Sequence, residues 1–270
     1  MSGAITTITA AIRWIGSRPG YLYMTAEDRV LENQCPGRFR YAWAEVFVFS
    51  LCWSLLSLAI WGTAWKLFGE TSGRVMPAVS VAVVFVLWPY RMAISGGLRI
   101  VLPQDQTWRA VAGSALLVVL TMALVSLKRD WRHDPYLPAW LAWIRPWEKM
   151  HRTILLMPLW GAWAMFVTPQ FCRKGQAGCP ATVAFVRGCS PVSAAATMGL
   201  LIALTITYYN YLGWWQLPIS AVAASSAVLS GLVFAGLSGG PTRRALLAAN
   251  VATQIAFLLA SIATCNLVFW

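Results

Sequence analysis

The stretches SAAATMGLLIALTITYYNYLGWW (Ser193–Trp215) and LPISAVAASSAVLSGLVFAGL (Leu217–Leu237) decide the fold class of this chain. Neither stretch contains a charged residue. Each is long enough to cross a bilayer, which takes about 20 apolar residues in a helix. Because almost nothing separates the two stretches, they predict a tight hairpin of transmembrane helices.

The rest of the chain has the same character. Further apolar windows run over Ala42–Trp65, Arg74–Tyr90, Ala112–Leu127, Thr153–Thr168 and Ala245–Trp270. The windows at 112–127 and 153–168 are short for a complete crossing. Charged residues make up 11% of the 270 residues, whereas a soluble domain carries about 25%. The sequence therefore predicts an all-α polytopic membrane bundle of about seven transmembrane helices, forming one domain over residues 41–270.

Residues 1–40 predict an interfacial helix and a basic segment rather than another crossing. Isoleucine recurs at helical spacing within Gly3–Ile15, but this segment is short and carries Arg13. Such a helix is expected to lie along the membrane surface. The segment does not have the pattern of a cleavable signal peptide.

The net charge of +12 favours anionic partners in the membrane rather than nucleic acid. The Lys and Arg residues are scattered through the predicted loops, so anionic lipid headgroups and a phosphorylated ligand are the expected partners. More of these residues fall in loops on the N-terminal side than on the opposite side, which predicts a cytoplasmic N-terminus. The main exception is the Trp-rich segment Lys128–Arg152, which is predicted to lie on the opposite membrane surface.

Two Ser-Gly-Gly steps, at 95–97 and 238–240, are the most informative polar features of the chain. Arg99 follows the first step, and Arg243 and Arg244 follow the second. Glycine pairs allow a backbone to turn sharply and to approach a ligand closely, and guanidinium groups suit phosphate oxygens. Both steps fall on the same predicted membrane side. They therefore predict a phosphate-binding site at that side.

Three motifs occur in a fixed order between residues 85 and 260. They are SGGLRIVLPQD at 95–105, GAWAM at 161–165 followed by Pro169, and GGPTRR at 239–244 followed by Asn250, Gln254 and Phe257–Leu259. In order and approximate separation these motifs resemble those of the membrane-bound cobalamin-5′-phosphate synthases, also called adenosylcobinamide-GDP ribazoletransferases.

The resemblance implies a transferase of the bacterial inner membrane that works at the cytoplasmic face. Such an enzyme joins α-ribazole, or its phosphate, to GDP-activated cobinamide and displaces GMP, so corrinoid and nucleotide-type substrates are implied. The implied roles are backbone approach to the diphosphate by Gly96, Gly97, Gly239 and Gly240, oxygen binding by Arg99, Arg243, Arg244 and Thr242, and Mg²⁺ binding by Asp105. Asp105 and Arg99 are the implied catalytic residues.

The chain departs from the family pattern at its acidic positions. Arg99 stands where the family has His, and Val101 and Trp108 stand where it has Asp. Arg243-Arg244 replaces Gly-Asp, and Gln254 replaces Glu. Because carboxylates are the usual protein ligands of Mg²⁺, two alternatives stay open. One is a catalytically inactive paralogue that binds a ligand or supports a partner as a homo- or hetero-oligomer, and the other is a small-solute transporter.

Other chemically active side chains give weaker signals. The spacing of Cys172, Cys179 and Cys189 matches neither a zinc motif nor a redox motif. These cysteines are expected to be thiols on a cytoplasmic side, whereas Cys172 and Cys179 could form a disulfide on the outer side. Glu45, within the first apolar window, is read either as an interfacial residue or as a functional carboxylate.

Overall fold

A computed structural model describes residues 42–87, 90–102, 106–127, 149–172 and 180–268. Nearly all of these residues are helical. The helices are α1 (Ala42–Ser72), α2 (Val75–Leu87), α3 (Arg91–Val101), α4 (Gln106–Ser126), α5 (Lys149–Phe171), α6 (Pro180–Gly188), α7 (Pro191–Tyr209), α8 (Gln216–Leu237) and α9 (Arg243–Val268), with a 3₁₀ helix at Asn210–Trp215. The predicted all-α polytopic membrane bundle is confirmed.

Four predictions concern residues outside the described ones. They are the interfacial helix within residues 1–40, residues 128–148 of the Trp-rich surface segment, the position of Asp105 and the state of Cys179. The last four residues of the Trp-rich segment, 149–152, instead begin α5, where Arg152 is buried.

Within the described residues, six helices are long and apolar enough to cross a membrane: α1, α4, α5, α7, α8 and α9. The window at 74–90 yields only the 13-residue α2. The windows at 112–127 and 153–168 predicted helices too short for a complete crossing, and this prediction is wrong. They are the apolar parts of helices of 21 and 23 residues, because α4 and α5 both extend into polar residues at their first turns.

Helices α5 and α9 form the centre of the bundle. In their apolar windows 89% and 72% of residues are buried, against 17–33% in the other four long helices. Helix α5 packs against α1, α7, α8 and α9. Small residues allow the closest of these approaches. A Cβ atom on Gly231 of α8, for example, would overlap the Thr168 hydroxyl of α5.

Helices α5 and α9 run antiparallel. Gly161 in the middle of α5 lies against Gln254 of α9. Near the start of α5, the Thr153 hydroxyl shares a 2.5 Å hydrogen bond with the Tyr209 hydroxyl. Tyr209 in turn donates to the Ser261 hydroxyl near the end of α9, at 3.1 Å.

The bundle therefore has two ends, which we name after an arginine at each. The Arg243 face is the end where α9 begins and where α5 and α8 finish. The Arg152 face is the end where α5 begins and where α9 finishes. These two names imply nothing about which end is cytoplasmic.

Helices α2 and α3 together extend from one face of the bundle to the other. The Arg74 guanidinium, just before α2, donates to the Leu127 carbonyl at the end of α4, at 2.6 Å. Gly96 of α3 lies against Arg244 at the Arg243 face, so the pair runs from one face to the other. With 13 and 11 residues, the two helices span about 36 Å at 1.5 Å per residue. The hydrocarbon core is about 30 Å thick, so α2 and α3 together are long enough for a seventh crossing.

Candidate functional site

The second Ser-Gly-Gly step ends α8 and turns the chain into α9. Gly239 has a φ angle of 72°, which an L side chain rarely adopts. The Gly240 amide donates to the Ala235 carbonyl at 2.7 Å, and the Gly239 amide donates to the Gly236 carbonyl at 3.3 Å. This pair of bonds is the Schellman motif that closes many helices. The expected sharp turn is present, and helix termination accounts for both glycines.

The first Ser-Gly-Gly step does not form a turn. Gly96 and Gly97 lie inside α3, and residues 91–101 were wrongly predicted to be a loop. A Cβ atom on Gly96 would lie 3.3 Å from Arg244 Cγ, and one on Gly97 would lie 3.0 Å from Ala248 Cβ. The missing side chains thus allow α3 to pack closely against the first turns of α9. The two glycine steps, distant in sequence, meet at the Arg243 face.

Three arginines belong to this meeting point, and we call them the arginine cluster: Arg99, Arg243 and Arg244. Arg244 is exposed and its side chain passes over Gly96. Arg99 is also exposed and follows Gly96 by three residues, so it lies on the same side of α3. Arg243 is only 9% exposed. The positive charges of these three guanidinium groups suit an anionic ligand.

Thr242 begins α9 as its N-cap. Its hydroxyl accepts a hydrogen bond from the Ala245 amide at 3.3 Å, which satisfies one of the amides left free at a helix start. Thr242 therefore has a structural role beside the ligand-binding role implied by the resemblance. The start of α9 also adds partial positive charge to the arginine cluster.

A second polar group lies deeper in the bundle. Asn250 and Gln254 of α9 are both buried, and the Gln254 amide donates to Asn250 Oδ1. Asn250 Nδ2 lies 3.2 Å from Met165 Sδ of α5. A Cβ atom on Gly161 would lie 2.6 Å from Gln254 Cγ, so the glycine provides the room for the two amides.

Tyr90 completes this group, and the sequence did not indicate it. It lies between α2 and α3 and is 2% exposed. Its ring stacks on Phe85 at 4.3 Å and meets Trp53 edge-on at 6.1 Å. Its hydroxyl is buried on the same side as the Gln254 side chain, and no hydrogen bond joins it to the described residues. We call Tyr90, Asn250 and Gln254 the inner polar layer.

The inner polar layer and the arginine cluster share one side of α9. Arg243, Asn250 and Gln254 are separated by seven and four residues, spacings that place side chains on the same helix face. At 1.5 Å per residue, Gln254 lies about 16 Å from the start of α9, near the middle of the membrane. Polar side chains at that depth are costly and are typical of functional sites.

The described residues of this site do not themselves fit Mg²⁺. The ion prefers hard oxygen ligands, usually carboxylates, whereas these side chains are guanidinium, amide and hydroxyl groups. Among the residues that the structure describes, no three His, Cys, Asp or Glu side chains come together as a metal site. Magnesium binding by Asp105 stays a prediction.

Comparisons with known proteins do not extend this description. The chain matches no protein-family model, no curated protein and no solved structure. The functional argument therefore depends on the residues of the chain itself.

Proposed function

We propose that this chain is a membrane-bound transferase for a diphosphate-activated substrate, similar to the adenosylcobinamide-GDP ribazoletransferases, with its site at the Arg243 face. One observation carries the proposal: the three motifs of the resemblance pack on one another in the fold. Gly97 of the first lies against Ala248 of the third. Met165 of the second contacts Asn250 of the third.

The chemistry of the arginine cluster supports this proposal. Guanidinium groups bind phosphate oxygens through paired, charge-assisted hydrogen bonds. In the proposed reaction a ribazole hydroxyl oxygen bonds to the corrinoid-linked phosphorus while the bond from that phosphorus to GMP breaks. The hydroxyl proton passes to solvent and GMP carries away the negative charge. Arg99 and Arg244 would stabilise the charge that develops on the diphosphate oxygens.

A ligand-binding subunit without catalysis is the second candidate, and the inner polar layer favours it. Gln254 stands where the family pattern has Glu, and its amide is bonded to Asn250. A neutral amide does not exchange protons or bind Mg²⁺ as a carboxylate does. The same arginine cluster would then hold the anionic ligand without transferring it.

The test uses the full chain in lipid nanodiscs. We expect saturable binding of GDP-activated cobinamide and release of GMP on addition of α-ribazole. Arg99→Gln and Arg244→Gln should each weaken binding at least tenfold, since a charged hydrogen bond contributes about 1.5–3 kcal/mol. Arg187→Gln is the matched control, because Arg187 is an exposed arginine of α6 outside the site.

The outcomes separate the two candidates. Binding without GMP release supports the ligand-binding subunit. The absence of saturable binding by the unmodified chain would reject both. Turnover with and without Mg²⁺, compared with that of Asp105→Asn, tests the magnesium prediction.

A further inference from the structure

The loop that joins α8 to α9 marks the membrane surface at the Arg243 face. Gly239 in this loop is exposed, and exposed non-helical backbone does not occur within the hydrocarbon region of a bilayer. Arg244 lies in the first turn of α9, directly after the loop. Arg99 lies in the last turn of α3, one turn beyond the glycine that packs against Arg244. Both arginines are therefore at the level of the lipid headgroups.

Arg99 and Arg244 differ from the arginines that have structural roles. Arg74 and Arg152 each donate to a main-chain carbonyl, at 2.6 Å. Arg99 and Arg244 are instead exposed, and within the described part of the chain no hydrogen bond or ion pair joins them to another residue. Their guanidinium groups are thus available to a ligand.

The positive charge at this point is not offset within α9. The first turn of α9 contains Arg243 and Arg244 but no acidic residue. The start of a helix also carries partial positive charge, which stabilises a nearby anion. Arg99 brings a further guanidinium group from a different helix. A phosphate group beside Arg99 and Arg244 would therefore reduce the repulsion among these charges and accept charged hydrogen bonds from both.

The surface around the two arginines is apolar. Helix α3 contacts both α4 and α8. Large apolar side chains of these three helices are exposed near the Arg243 face: Val101, Trp108, Val233 and Leu237. Tryptophan is typical of the headgroup layer. A lipid whose phosphate lies beside the arginines would place its acyl chains on this surface, so the surroundings favour a lipid over a soluble phosphate compound.

We propose that Arg99 and Arg244 together bind the phosphate group of one anionic phospholipid from the adjoining leaflet, and that this lipid links α3 to α9. The chemistry is the same as that of a soluble phosphate, namely an oxyanion between two guanidinium groups. The binding of the lipid does not depend on the proposed function. If the proposed function also holds, the lipid and the diphosphate substrate compete for the same guanidinium groups.

Native mass spectrometry of the full chain in neutral detergent tests this proposal by titration with phosphatidylglycerol. We expect one phosphatidylglycerol molecule to bind saturably and more tightly than phosphatidylcholine, whose choline group neutralises the phosphate. Arg99→Gln and Arg244→Gln should each weaken this binding by about tenfold or more, because each removes a charged hydrogen bond. Arg187→Gln is the matched control, since Arg187 is an exposed arginine of α6, and it should leave the affinity unchanged.

The double variant tests whether the two arginines share one phosphate. Groups that act on the same ligand atom are not additive, so the loss of affinity in the double variant should be well below the product of the two single losses. Single losses that multiply would mean that the arginines act on separate lipids, which would overturn the shared site.

Soluble anions test whether the phosphate belongs to a lipid. Inorganic phosphate and glycerol 3-phosphate lack acyl chains, so neither should displace the bound phosphatidylglycerol at the lipid concentrations that saturate the site. Displacement by either one at such concentrations would show that the site takes soluble phosphate instead of a lipid.

Two further results would overturn the proposal. An equal loss of lipid binding in Arg187→Gln would show only a general attraction of lipid to basic surface. The absence of saturable phosphatidylglycerol binding by the unmodified chain would exclude the lipid site, while binding of GDP-activated cobinamide would still decide the proposed function.

Discussion

Gly161 shows how one missing side chain shapes the interior of the site. The Asn250 and Gln254 amides occupy the space that a Cβ atom at position 161 would need. There they bond to each other and to the Met165 sulfur. A buried amide that lacks partners costs about 1–3 kcal/mol. The glycine therefore provides room for two buried amides that partly satisfy each other, since Gln254 Oε1 has no hydrogen-bond partner among the described residues.

Arg152 offers a test of buried charge at the opposite end of the bundle. It is 1% exposed, and its guanidinium donates to the Tyr208 main-chain carbonyl at 2.6 Å. This bond ties the start of α5 to the end of α7. Arg152→Gln should lower the free energy of unfolding by about 2 kcal/mol, since a buried acceptor loses its charged donor.

Thermal unfolding in detergent measures this loss. Tyr208→Phe is the control, because it retains the main-chain carbonyl that Arg152 contacts. It should leave the melting temperature close to that of the unmodified chain. An Arg152→Gln variant as stable as Tyr208→Phe would contradict the structural role of the bond.

At the level of residues, the sequence pointed to the outer part of the candidate site but not to the inner part. Arg243 and Arg244 were singled out because charge is rare in this chain and they follow a glycine step. Tyr90 was missed because a tyrosine at the end of an apolar window resembles an aromatic belt residue. Only its burial on the same side as Gln254, from the last helix, reveals its position, and sequence order contains no such information.

At the level of elements, α3 is the instructive exception. Serine and two glycines are poor helix formers, so residues 95–97 predicted a loop. Packing against α9 overrides this preference, because the glycines allow an approach that larger residues would prevent. Helix α8, whose apolar window is uninterrupted, was predicted to within a residue at each end, whereas the window at 193–215 extends six residues past the end of α7 at Tyr209. Apolar length determines a helix such as α8 without tertiary contacts.

The contact between α8 and α5 gives a prediction for a pair of helices. Gly231→Ala would place its methyl group on the Thr168 hydroxyl, and overpacking of this kind costs about 1–3 kcal/mol. We expect a lower melting temperature for Gly231→Ala. Adding Thr168→Ala should restore most of the loss, since it removes the atom that is overlapped.

A glycine elsewhere provides the control for this pair. Among the described residues, no atom outside the neighbouring helix backbone lies within 4 Å of a Cβ atom on Gly199 of α7, so Gly199→Ala should be neutral or slightly stabilising. Failure of Thr168→Ala to rescue Gly231→Ala would show that the two helices are less closely packed at this point than the structure indicates.

At the level of the whole molecule, the topology depends on whether α2 and α3 together cross the membrane. With six crossings the start of α1 and the end of α9 would lie on the same side of the membrane. With α2 and α3 as a seventh, they lie on opposite sides. The contacts of Arg74 with Leu127 and of Gly96 with Arg244 favour seven crossings, because they place the two ends of the α2–α3 pair at opposite faces of the bundle. The arginine cluster is then on the same side as the start of α1.

Reporter fusions distinguish these two topologies. Green fluorescent protein and alkaline phosphatase are attached in turn before residue 1 and after residue 270, in bacteria. With a cytoplasmic N-terminus, the N-terminal fluorescent fusion and the C-terminal phosphatase fusion should both be active, because the first folds only inside and the second only outside. Because residues 1–40 are predicted from the sequence to lie along one membrane surface, activity of the same reporter at both ends would mean that α2 and α3 do not cross. If instead the N-terminal phosphatase fusion and the C-terminal fluorescent fusion were active, the chain would still cross seven times. The arginine cluster would then lie outside, beyond the reach of cytoplasmic nucleotides.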